Sequence, residues 1–170
     1  NKELVAHLRS KRKRRRPHTI TARNRERGGP IIDKVMISDR PADIEDRAVP
    51  GPWEGDLIIG RQGQSQIAPL VERPTGLTML LALPDDRKAA TVADVMARQI
   101  MTLPEQARRS VTWDQGIEMA DHARFTIATG IPIYFCDPHA PWQRATNENT
   151  NGLARQYLPR DSDLSTHSQA

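Results

Sequence analysis

Three carboxylates in this chain have the type and setting to hold a divalent cation. Asp56 stands in WEGDLIIG at 53–60, directly before the apolar run Leu57-Ile58-Ile59, where an unpaired charge is expensive unless it meets a cation. Asp114 ends the short run SVTW and precedes Gln115-Gly116, the kind of strand end where open sheets place functional groups. Glu148 lies in PWQRATNENTNGLARQY at 141–157, a helical stretch opened by Pro141 and stopped by Pro159. Brought together, three like charges repel unless hard dications neutralise them, and all-oxygen ligands suit Mg²⁺ or Mn²⁺. Two such ions about 4 Å apart would activate an attacking oxygen and stabilise the leaving oxygen of a phosphodiester. Each residue also has an ordinary reading. Asp56 can pair with a basic side chain, Asp114 can close an Asx turn, and Glu148 can be a surface carboxylate paired with Arg144.

The elements that must position these residues follow from periodicity. Trp53 to Gly60, Ile67 to Arg73 and Leu77 to Leu83 read as three strands, the last two joined by Pro74-Thr75-Gly76. Short links make them an antiparallel meander, with Asp56 in the middle of the first strand. Asp85 to Leu103 is amphipathic at helical period, and Pro104 closes it. Ser110 to Trp113 is a fourth strand, Met119 to Thr129 a helix ended by Gly130, and Ile131 to Cys136 a fifth, fully apolar strand. Helical crossovers after the third strand favour parallel pairing there, so the expected fold class is α/β, a mixed five-stranded sheet flanked by helices. On the last helix Glu148 shares a strip with Arg144, Ala145, Asn151 and Gly152. Trp142, Asn149, Leu153 and Tyr157 form a second stripe, expected to pack on the sheet with Trp142 in the core.

Composition limits the partners. Residues 9–27 hold ten Lys or Arg against one Glu, a net charge of +9, while the remainder carries 15 basic and 20 acidic residues. The chain is thus an acidic body with a basic arm. The run Lys11, Arg12, Lys13, Arg14, Arg15 and Arg16 suits sequence-independent contact with nucleic-acid phosphates; no aromatic is interleaved for base stacking. Residues 1–48 are therefore expected to be arm and connector, 49–165 the catalytic body and 166–170 a tail. Cys136 is the one cysteine among 170 residues, which excludes an internal disulfide and a Cys-based zinc cluster. The histidines do not cluster. No run approaches the roughly 20 apolar residues of a membrane span, and the cytoplasm is the expected compartment.

GPWEGDLIIG at 51–60, LVERPTGLTMLLALP at 70–84, TWDQGIEMADHARF at 112–125 and YFCDPHAPWQRATNENTNGLARQYLP at 134–159 closely resemble the Asp-Asp-Glu transposases of bacterial insertion sequences, specifically the IS-thirty family. The resemblance implies a retroviral-integrase-like, RNase H-like core. It makes Asp56, Asp114 and Glu148 the catalytic and metal-binding triad, with two Mg²⁺ (or Mn²⁺) ions. It implies strand cleavage at element ends and attack by the freed 3′ hydroxyl on target DNA, carried out by a homodimer on DNA. Arg144, Asn147, Asn151 and Arg155 on the last helix then read as DNA-phosphate or metal-shell residues. The sequence departs from the family at Ala145, where Gly is usual, and at Pro52, where His is usual. Set against the family, the sequence is expected to be a piece truncated at both ends, without the N-terminal helix-turn-helix and the last part of the C-terminal helical region. The rival expectations are an inactive remnant that binds DNA through its arm alone, and a general RNase H-like nuclease.

Overall fold

A computed structural model of the chain describes residues 31–45, 48–83, 86–138 and 140–167; the basic run Lys11 to Arg16 lies outside them. Seven strands form one mixed sheet: β1 (Val35–Met36), β2 (Pro52–Gly55), β3 (Ile58–Ile59), β4 (Gln66–Glu72), β5 (Thr78–Leu83), β6 (Ser110–Trp113) and β7 (Ile133–Phe135). β4 pairs antiparallel with β2, β3 and β5, whereas β2–β6, β6–β7 and β7–β1 are parallel. The expected meander and parallel crossovers are both present.

Asp56 does not lie within a continuous ladder, as the sequence suggested. Trp53 faces Glu72 and Gly55 faces Leu70, while Ile58 faces Ile67 and Ile59 faces Gln66. The pairing offset is the same on both sides of Asp56, so β2 and β3 are one strand interrupted opposite Pro69. The Asp56 amide still donates to the Pro69 carbonyl at 3.3 Å, but proline has no N–H to return. Joined in this way, the sheet has the expected five strands plus one more. The extra strand is β1, which brings the connector into the sheet before residue 48. Arg109 pairs with Asp43, and Lys34 Nζ donates to Gln115 Oε1 at 2.9 Å, tying the connector to both ends of β6.

Helix α1 (Ala42–Glu45) belongs to that connector. Helix α2 (Ala89–Ile100) buries Val92, Ala93, Val95, Met96 and Ile100, nearly the apolar face its periodicity predicts. Helix α3 (His122–Thr129) ends at Gly130 in the left-handed region, φ 73°, where a side chain would be strained. Both pack on the sheet face that carries Trp53, Leu70, Leu81, Val111, Trp113 and Phe135, the main core. Helix α4 (Ala145–Tyr157), preceded by a 3-10 turn over Pro141–Arg144, covers the other face around the smaller cluster of Ile58, Ile67, Leu158 and Leu164.

Candidate active site

Alternation along one strand sets up the site. Residues two apart share a face, so Trp53 and Leu57 join the main core, whereas Glu54, Asp56 and Ile58 face α4. Four helical residues rise about 6 Å and two strand residues about 6.7 Å, so α4 can keep step with this strand. Asn147 meets Glu54 and Asn151 meets Asp56, and Leu158, just past the helix, shares a cluster with Ile58. Gly55 lies between, on the core side: a Cβ there would sit 2.1 Å from the Trp113 ring, so glycine lets β6 close up behind the carboxylates.

Glu54 is buried, and its Oε1 pairs with Arg73 Nε at 3.1 Å. Its Oε2 accepts the Asn147 amide at 2.9 Å. That amide belongs to the first turn of α4, where no intrahelical acceptor exists; the neighbouring strand supplies the cap. The Asn147 side chain donates to the Glu54 carbonyl at 3.0 Å. Sequence reasoning missed Glu54, although its place two residues before Asp56 puts it on the same face.

Asp56 and Asp114 meet around Arg144. Arg144 is 4% exposed. Nη1 donates to the Gly55 carbonyl at 2.8 Å and stands 3.5 Å from Asp56 Oδ2, and Nη2 reaches Asp114 Oδ2 at 3.3 Å. Asp56 Oδ2 also accepts from Asn151 Nδ2 at 3.1 Å. Asp114 Oδ1 accepts the Gly116 amide at 2.7 Å, an Asx turn. The ordinary readings of both aspartates therefore hold together with their convergence. Burial pushes the Asp56 carboxyl above its usual range; Arg144 pulls it down, and Asp114 pushes it up again.

A further carboxylate faces this pair. Glu118, in the 3-10 turn Ile117–Met119, accepts the Trp113 Nε1–H at 3.1 Å. Burial raises its pKa, and the charges of Asp114 and Asp56 raise it further. The spacing Asp114-Gln-Gly-Ile-Glu118 is the signal in the sequence that could have found it.

Glu148 differs from expectation. It is exposed, one turn beyond Arg144, whose charge it supports electrostatically. Among the described residues no three of His, Cys, Asp and Glu lie close enough to hold a metal ion together. Two carboxylates share one guanidinium, and without a dication a third gains more from water than from joining them. The donor set nevertheless fits a hard cation. Two aspartates converge on a positive charge, and Asn151, which meets Asp56 through its Nδ2, has a buried Oδ1 with no hydrogen-bond partner among the described residues.

The face of α4 read as contacting DNA is largely its packed face. Asn147 is fully buried, with 0% exposure, so it offers DNA nothing. Arg144 and Asn151 are engaged with the carboxylates. Arg155 is partly exposed and donates to the Ile59 carbonyl at 2.9 Å. Conversely, Trp142 (72%), Leu153 (43%) and Tyr157 (84%) face solvent, reversing the expectation that their stripe packs on the sheet. The reason is electrostatic: the strand presents Glu54 and Asp56 to the helix, so the helix turns its donors inward.

The sequence matches the family model described as Integrase core domain over residues 46–141. It is 47% identical over 168 residues to the transposase for insertion sequence element IS1086 of Cupriavidus metallidurans, covering 99% of this chain and 48% of that protein. It is 42% identical over 168 residues to the transposase InsI for insertion sequence element IS30C of Escherichia coli, covering 97% and 43%. The chain thus spans under half the length of these relatives. A chain of the simian T-cell lymphotropic virus intasome, solved with the PP2A regulatory subunit B56 gamma, shares the fold with a TM-score of 0.54 at 16% identity, over 64% of this chain and 40% of that one.

Proposed function

The chain belongs to the integrase core domain family, in company with insertion-sequence transposases, and from that membership we propose that it is the catalytic core of a DNA transposase. The reaction is phosphoryl transfer: cleavage of a strand at an element end, then attack of the freed 3′ hydroxyl on target DNA. The observation that supports this reading is the convergence of Asp56 and Asp114 on one buried cation, from the break between β2 and β3 and the end of β6.

Asp56, Asp114 and Glu148 are the residues that would hold divalent ions, Mg²⁺ or Mn²⁺, with Asn151 meeting Asp56 through its Nδ2. Such ions supply activation of an attacking oxygen and neutralisation of a leaving one. The chain supplies the positioning. Glu54 clamps the start of α4 against the strand that carries Asp56, and the exposed Glu148 is open to approaching DNA. The arm from Arg9 to Arg27 supplies sequence-independent grip on phosphates. Two element ends have to be joined, so a homodimer on DNA is the working assembly.

The test is nicking of an end-labelled duplex carrying matched element ends, with Mg²⁺ or Mn²⁺. The chain should nick only with the ion, and Asp56→Asn, Asp114→Asn and Glu148→Gln should each abolish nicking. Activity retained in any one removes that residue from the site. A wild-type chain that binds the duplex but stays inert with either ion would favour a DNA-binding remnant. Preference for an RNA–DNA hybrid would favour a nuclease.

A further inference from the structure

We propose that Arg144 is a placeholder cation: it holds Asp56 and Asp114 together when no metal is present, and its contact with them and metal loading exclude one another. This rests on the reading of the two aspartates as metal ligands. Four observations carry it. Arg144 is almost wholly buried, so it is not a surface phosphate contact. It touches one oxygen of each carboxylate, at 3.5 and 3.3 Å, distances long enough to mark a shared charge and not a tight bidentate fork. Its shortest bond, 2.8 Å, goes to a neutral backbone oxygen at Gly55, an anchor that survives if the carboxylates are given up. Finally, Asn151, whose Nδ2 donates to Asp56 Oδ2 at 3.1 Å, has a buried Oδ1 with no hydrogen-bond partner among the described residues, so a neighbour of the pair carries an acceptor that Arg144 does not satisfy.

The physical consequence is competition. Two half-buried carboxylates without a counter-ion repel, which makes a charged arginine stabilising in the metal-free state. A dication entering the same oxygens meets a fixed positive charge a few ångströms away, and in a partly buried site that repulsion costs affinity. Removing the charge while keeping a donor for Gly55 should therefore tighten metal binding, whereas an orienting residue would weaken it when removed.

The experiment is Mn²⁺ binding by calorimetry to the 170-residue chain, comparing wild type, Arg144→Gln and Arg144→Lys, with thermal stability measured without metal. Arg144→Gln should bind Mn²⁺ about tenfold more tightly and melt lower when metal-free. Arg144→Lys, which keeps the charge, should stay within about twofold of wild type. Unchanged or weakened binding in Arg144→Gln overturns the proposal. A second measurement needs no variant. The Arg144 Nη–H resonances, protected in the metal-free protein, should shift and lose protection on saturation with diamagnetic Mg²⁺; signals that stay put at saturation overturn the proposal too. Asp56→Asn separates the underlying reading: Mn²⁺ binding that survives it undiminished removes Asp56 as a ligand, whatever Arg144 does.

Discussion

Two side chains near the site have ionisation set by burial, and each makes a prediction. Glu118 has its carboxyl raised above its ordinary 4.5, first by burial and then by Asp114. A raised folded pKa means the native state binds the extra proton more readily. The penalty thus appears as pH climbs through 4.5 and is complete above the raised value. Glu118→Gln keeps an acceptor for Trp113 Nε1, so it should raise the metal-free melting temperature at neutral pH. The gain should vanish below pH 4. A melting temperature lowered equally at both pH values would make Glu118 a structural acceptor instead. Cys136 is pushed up to about 11 by burial, with Arg144 opposing. Its thiolate is scarce at pH 8, and reaction with a disulfide reagent should be at least about 100-fold slower than for a free thiol. Rapid labelling of native protein would show that β7 opens far more readily than its buried Ile133–Phe135 implies.

At the scale of elements, the carboxylates are brought together by the seating of α4 on β2 and β3, and Glu54 is what fixes that seating. Its two oxygens are divided between Arg73 and the first turn of α4. Glu54→Gln removes the charge and leaves one of these partners facing an amide NH₂. The expected cost is about 3 kcal/mol, or a fall in melting temperature of about 6–12 °C. Hydrogen exchange should speed up first at the Asn147 amide; uniform exchange along the chain would put the effect in the core and not in the helix. This seating also explains what the sequence conveyed and what it withheld. Strand order, the apolar face of α2 and the stop at Gly130 follow from local periodicity and turn chemistry, and all are found. Hydrophobicity points the wrong way for the inward face of α4, because it sets Trp142, Leu153 and Tyr157 against the sheet, whereas all three face solvent. The deciding interaction is long-range: Glu54 and Asp56 demand donors across some 90 residues. The interruption at Asp56 depends likewise on Pro69 in the facing strand, and the β1 pairing on an edge left open by β7.

For the whole molecule the governing feature is the separation of charge. The body is acidic outside residues 9–27, and its two best-placed aspartates share the buried Arg144, so the body alone gives a polyanion little reason to approach. The arm reverses this with a net +9 over 19 residues. Each phosphate neutralised by a cation steepens the dependence of log affinity on log salt by about 0.9. A chain beginning at Gly28 loses all ten arm cations, and if half of them touch phosphate the slope should fall by about 4.5. Fluorescence anisotropy with a random duplex over a salt series measures this directly. The same truncation should leave Mn²⁺ affinity unchanged, because the donors at Asp56, Asp114 and Asn151 lie wholly in the body. A shortened chain with an unaltered salt slope would mean that the body holds the DNA. The partly exposed Arg155 and the aromatic stripe of α4 would then be the surfaces to mutate first. A collapsed slope with metal affinity intact would establish grip and chemistry as separable properties of two segments.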